Sequence, residues 1–221
     1  ISAPVVDDNN ILLGRITIDD VVDIIRGQAE HQALGAAGLD EDEDLFSPVW
    51  RAMRRRLVWL SINLCTAFLA ASVVGQFEAT IDKLVALAVL MPIVASIGGN
   101  AGTQTMAVAV RAIATNQLTR SNTRRILWRE FRVALLNGGT IAMLIGAATG
   151  ILFTPMMGLV IGLAMIINIA IAGIAGVAVP VIFERLDQDP AVASSVFVTM
   201  ITDSMGFLIF LGLAVFSGLV G

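Results

Sequence analysis

Residues 190–220 read PAVASSVFVTMITDSMGFLIFLGLAVFSGLV, an apolar run in which Asp203 is the single charge. A stretch of this length and hydropathy exceeds the ~20 residues that cross a bilayer core. Working back along the chain, four more runs qualify, at roughly 57–77, 84–110, 133–154 and 156–183. The last two are separated at Thr154-Pro155, because proline cannot continue the preceding helix. So short a link makes them antiparallel neighbours. The reading is an all-α polytopic membrane protein with five transmembrane helices in residues 48–221.

Composition supports that reading. Hydrophobic residues make up 57% of the 221 and charged residues 14%, against about a quarter charged in soluble domains. Residues 1–47 carry a net charge of −9 and residues 48–221 one of +5. An acidic soluble piece is therefore joined to a membrane piece. A single soluble globule, a disordered chain and a disulfide-stapled module are excluded. Cys65, the single cysteine, reads as a small packing residue. Basic residues cluster on one side. Arg51, Arg54, Arg55 and Arg56 precede the first span, Arg111 to Arg132 lie between the second and third, and Arg185 lies between the fourth and fifth. Lys83 alone lies opposite. By the positive-inside rule the N-terminus is cytoplasmic and the C-terminus outside, in a multi-pass protein of the cell (inner) membrane. The chain opens at Ile1 with no signal-like segment, as expected of a piece of a longer protein whose N-terminus is made in the cytosol.

Ahead of the spans, residues 4–16 read as strand, turn, strand around Asp7-Asp8-Asn9-Asn10. Thr17 is a good N-cap, and Asp19 and Asp20 favour the positive end of the helix it opens. Ile18, Val21, Val22 and Ile25 give that helix an apolar stripe in need of a partner surface. Residues 27–47 show no strong period, and Gly27, Gly35 and Gly38 weaken any helix there. The acidic run 40–44 is either a solvated linker or a divalent-cation site. Lone His31 reads as a surface residue. Trp50, the following arginines and Trp59 mark a membrane interface.

Polar residues inside the spans carry the functional information. A charge at mid-bilayer costs about 3 kcal/mol or more on insertion. Asp203 has no Lys or Arg within any apolar core to pair with, so it takes a proton, a cation or a neighbouring helix's hydrogen bond. Ser195, Thr199, Thr202 and Gly206 recur around it at spacings of three and four, as a polar stripe or a small-residue packing face. The second span carries Pro92, then Ser96, Gly98, Gly99, Asn100, Gly102, Thr103 and Gln104. Its proline and glycines are expected to loosen the helix and free carbonyls, with a glycine-lined packing face as the alternative. Asn63, Asn137 and Asn168 read as isolated amides bonding between helices. Pro180 is expected to kink the end of the fourth span. One carboxylate among neutral oxygens suits a hard cation such as magnesium, which keeps much of its water. A soft metal would call for Cys or His. Nothing calls for a nucleic-acid partner.

The string Pro92-Ile93-Val94-Ala95-Ser96-Ile97-Gly98-Gly99-Asn100-Ala101-Gly102-Thr103-Gln104-Thr105 resembles the second-helix signature of the MgtE family of magnesium channels. Leu186-Asp187-Gln188-Asp189-Pro190-Ala191 and Thr202-Asp203-Ser204-Met205-Gly206-Phe207 resemble the same family. Val5 to Ile25 is similar to the closing strands and helix of a CBS domain. The resemblance implies a C-terminal CBS remnant over residues 1–27, a connecting plug segment over 28–47 and a pore domain over 48–221. It implies a homodimer in the lipid bilayer, with Mg2+ as permeant ion and gating ligand, and no enzyme activity. It assigns the ion site to Asp203 and Thr199. Pore-lining positions are Ser96, Gly98, Gly99, Asn100, Thr103, Gln104, Ser195, Thr202 and Gly206. Asp19, Asp20, Asp23 and Glu30 fall where that family senses cytosolic Mg2+. The rival reading is a proton-coupled transporter of another divalent cation (Co2+, Ni2+, Mn2+ or Zn2+). An intramembrane aspartyl protease would need two carboxylates sharing a proton, and one chain has one membrane aspartate. A membrane scaffold without transport leaves Asp203 unexplained.

Overall fold

The structure is a computed structural model, described over residues 2–36 and 46–219. Strands β1 (Ser2–Val6) and β2 (Leu12–Thr17) pair antiparallel, Ser2 opposite Thr17, with a shift of register between Val5 and Val6. Asp7 builds the turn. Its carboxylate accepts from the N–H groups of Asn9 at 2.9 Å and Ile11 at 2.7 Å, and Asn10 takes the left-handed φ of 61°. Asn tolerates that conformation better than most residues.

Helix α1 (Ile18–Ala36) follows without a linker. The Asp20 carboxylate accepts from the Thr17 N–H at 2.7 Å and from the Thr17 hydroxyl at 2.8 Å. This is the return half of a capping box. The backbone bond first, then the hydroxyl, hold the Asp20 carboxyl below its ordinary value. The helix then runs through Gly27 to Ala36, beyond where the sequence loses its period. Packing compensates for weak propensity: Gly35 is buried against the start of the last helix, where a Cβ would lie 3.0 Å from the Ala191 Cβ. Val21, Val22 and Ile25 stay exposed. The acidic run 40–44 lies outside the described residues.

Among the described residues five helices are long and apolar enough to cross a membrane: α2 (Val49–Gly75), α4 (Ala86–Ala114), α5 (Thr123–Leu152), α6 (Pro155–Arg185) and α7 (Pro190–Phe216). The short α3 (Glu78–Lys83) links the first two. The chain is an all-α polytopic membrane protein, and the hairpin with α1 fits a CBS remnant. Helices α2 and α5 begin well before the apolar runs expected at 57 and 133. Arginine is a good helix former, so the backbone continues helical where the bilayer ends.

Both tight links have local causes. Thr154 caps α6, its hydroxyl accepting from the Met157 N–H at 3.2 Å, with Pro155 in the first turn. Between α6 and α7, Asp187 takes a left-handed φ of 54° and the Asp189 carboxylate accepts from the Ala191 N–H at 2.8 Å.

Helix α6 is the hub, packed by α4, α5 and α7. Ile161, Ala164, Met165, Asn168 and Ala172 along it are fully buried. It meets α5 backbone to backbone: a Cβ on Gly158 would overlap the Gly146 carbonyl oxygen and lie 2.9 Å from the Gly150 Cα. Helix α2 packs chiefly on α7 and is mostly exposed.

Candidate cation pathway

Helix α4 is unbroken from Ala86 to Ala114 despite Pro92 and its glycines. The expected loosening is therefore corrected: Gly98 and Gly102 serve close packing, while a Cβ on Gly99 would meet nothing within 4 Å. Asn168 of α6 is fully buried between Gly98 and Gly206, and donates from Nδ2 to the Val94 carbonyl at 3.2 Å. A Cβ on Gly98 would overlap that amide nitrogen, and one on Gly206 would lie 2.6 Å from it. Gly102 admits α7 in the same way, a Cβ there meeting Val198 Cγ1 at 2.6 Å and Thr202 Cγ2 at 3.3 Å.

This divides the expected pore-lining residues in two. Gly98, Thr202 and Gly206 are buried inside the subunit. Thr202 is spent locally, its hydroxyl donating to the Thr199 carbonyl at 3.0 Å. Ser96, Asn100, Gln104 and Thr199 are exposed, and Gly99, Thr103 and Ser195 are partly so. Two of these hydroxyls also bond back along their own helices, Thr199 to the Ser195 carbonyl at 3.0 Å and Thr103 to the Gly99 carbonyl. Such bonds leave hydroxyl lone pairs available as acceptors.

Asp203 lies on α7 one turn beyond Thr199, half-buried. Among the described residues no group donates a hydrogen bond to its carboxylate and none forms an ion pair with it. It is an unspent charge on a membrane helix. Among the described residues no three His, Cys, Asp or Glu side chains come together as a metal site. A cation at Asp203 would have to complete its shell with neutral oxygens, water or a second copy of the chain.

A second polar surface was not legible in the sequence. Asn100 and Gln104 of α4 face Asn137 and Thr140 of α5 across a cavity of about 380 Å³ floored by Ile169. Asn137 therefore opens on this cavity, and among the described residues it makes no interhelical bond. Asn63 is likewise exposed. Of the three amides expected to bond between helices, Asn168 does so. Glu130 was also missed: it reads as one charge in a basic loop, but is buried and paired with Arg129. On α1, Asp19 and Asp23 are exposed while Asp20 is engaged by Thr17. The side chains of Glu30 and His31 lie outside the described residues.

A family model described as a divalent cation transporter, MgtE, matches residues 91–213, more than half of the chain and all of α4 to α7 but their ends. The chain belongs to the MgtE family. Proteins named magnesium transporter MgtE are similar along almost its whole length. That of Bacillus subtilis is 31% identical over 216 residues, covering 97% of this chain and 48% of its own. That of Enterococcus faecalis is 34% identical over 215 residues, covering 97% and 47%. That of Thermus thermophilus is 32% identical over 216 residues, covering 96% and 47%. The chain thus spans about half the length of the curated relatives it matches. Within this MgtE chain, Asp187 and Asp189 of the second motif end one helix and cap the next, while Asp203 has no such structural duty.

Proposed function

We propose that residues 48–221 form the pore domain of a magnesium-selective channel. In this reading two copies assemble around a shared axis, and hydrated Mg2+ passes into the cytosol between them. Asp203 carries the proposal: a carboxylate without a partner among the described residues, half open, in the middle of an apolar span. A charge in that position is costly unless water or a cation meets it. Two such carboxylates on one axis repel each other, which favours a bound divalent ion over an empty site. Thr199 and Ser195 accompany Asp203 along α7, and Ser96, Asn100, Thr103 and Gln104 on α4, with Gly99 among them, supply neutral oxygens for the ion's water shell. Mg2+ releases water reluctantly, so a path of hydroxyls and amides suits it better than a tight protein cage. Magnesium as the substrate also rests on the names of the relatives.

Residues 1–27 are the end of a CBS domain and 28–47 a connecting segment, with α1 running continuously from the first into the second. Asp19, Asp23 and Glu30 are the candidates for sensing cytosolic Mg2+. The N-terminus lies in the cytosol and the C-terminus outside.

The test is Mg2+ uptake into liposomes loaded with a magnesium-sensitive dye, under an imposed membrane potential. Asp203→Ala is expected to reduce uptake by about tenfold or more, a change in barrier near 1.4 kcal/mol, while leaving the protein folded. Uptake equal to the parent would overturn the assignment of Asp203. Uptake that follows a pH gradient instead of the potential would overturn the channel reading.

A further inference from the structure

The start of α5 and Ile174 of α6 line an open groove of about 860 Å³ that the cation pathway does not use. Its upper wall carries Ser121, Arg124 and Arg125. Its lower wall is apolar, formed by Trp128 and Phe131 of α5 and Ile174 of α6. Trp128 and Phe131 stack with ring centroids 5.4 Å apart and planes 23° from parallel, giving a flat face.

We infer that this groove binds an anionic phospholipid, its phosphate held by Arg124 and Arg125 and an acyl chain lying along Trp128, Phe131 and Ile174. Three observations combine. First, neither guanidinium has an ion-pair or hydrogen-bond partner among the described residues, whereas Arg129 one turn later is paired with Glu130. Second, the arginines stand in the first turn of α5, ahead of its apolar run and one turn before Trp128, and tryptophan concentrates at the level where headgroups lie. Third, the charge and the apolar wall belong to one groove. A free phosphate would use only its upper half, whereas a lipid uses both. Arginine recognises phosphate through paired, parallel N–H donors, and basic pockets between membrane helices hold anionic headgroups.

The test uses the intact chain reconstituted in lipid nanodiscs. Trp50→Phe and Trp59→Phe leave Trp128 as the only tryptophan. Its quenching is followed with brominated phosphatidylglycerol and, separately, brominated phosphatidylcholine. Half-quenching is expected at a mole fraction about fivefold lower for the anionic lipid. Arg124→Gln with Arg125→Gln should equalise the two lipids, and Arg120→Gln, outside the groove, should leave the preference in place. Equal quenching in the parent would overturn the proposal, as would a preference surviving the double substitution. Loss of the preference on adding millimolar inorganic phosphate would overturn the lipid as occupant. Native mass spectrometry of the unsubstituted chain gives a check independent of whether the variants fold: phosphatidylglycerol adducts should outlast phosphatidylcholine adducts, and the reverse order would overturn the proposal.

Discussion

Asn168 joins three helices through one amide: Nδ2 reaches the Val94 carbonyl, and Gly98 and Gly206 close on either side. Its Oδ1 is buried without a partner among the described residues. Gly98→Ala should therefore cost about 2 kcal/mol or more, because the new methyl overlaps the amide. Asn168→Ala should cost about 1–3 kcal/mol, losing one hydrogen bond and opening a small void. Thermal unfolding in detergent measures both, and an unchanged midpoint for Gly98→Ala would mean the slot is not closed. At Asp20 the expected effect is one of pH. A carboxyl held below its ordinary value stabilises the fold above its unfolded-state pKa, and that contribution fades as pH falls through the lower folded-state value. Hydrogen exchange at residues 17–25 should therefore accelerate, beyond its intrinsic dependence, as pH drops below about 4. Asp20→Ala should remove that dependence. Spacing in the sequence was enough to find Asp203 and the stripe around it. It could not say which edge of the stripe turns inward, since Thr202 and Thr199 differ only by where α4 and α6 stand.

Elements were legible to the extent that lipid dictates them. A backbone in hydrocarbon has to bond internally, so five long apolar runs could only become helices. The Thr154-Pro155 break was readable because proline cannot continue a helix; the Thr154 cap beside it came only with the structure. The starts of α2 and α5 were not, because hydropathy marks the edge of the bilayer and is silent about helices that protrude from it. The extension of α1 to Ala36 was hidden for a different reason: its support comes from α7, far away in sequence. Glycines on one helix pair should likewise differ by position. Gly158→Ala forces α5 and α6 apart and should lower stability by about 2 kcal/mol or more. Gly139→Ala meets nothing within 4 Å and should raise it by up to about 1 kcal/mol through helix propensity. Equal midpoints for the two would contradict the backbone contact at Gly158.

Across the whole molecule, the exposed polar residues of α4 and α7 cannot rest against acyl chains at no cost. A second copy is the cover we propose. Thr199→Cys, made with Cys65→Ala, should cross-link to dimers in membranes with a short bis-maleimide, because a path wide enough for a hydrated ion keeps the two thiols beyond reach of a direct disulfide. A persistent monomer band would argue against Thr199 lying near the shared axis. Assembly in one copy was illegible in the sequence, since periodicity describes each helix alone and says nothing of neighbours. The arrangement of α2 has a consequence for biogenesis. Its main companion, α7, leaves the ribosome only after α4, α5 and α6 have been made. Helix α2 therefore waits in lipid, almost bare, until α7 emerges. Chain termination anywhere before α7 strands it, and quality-control proteases that recognise orphaned spans would have their longest opportunity at this helix.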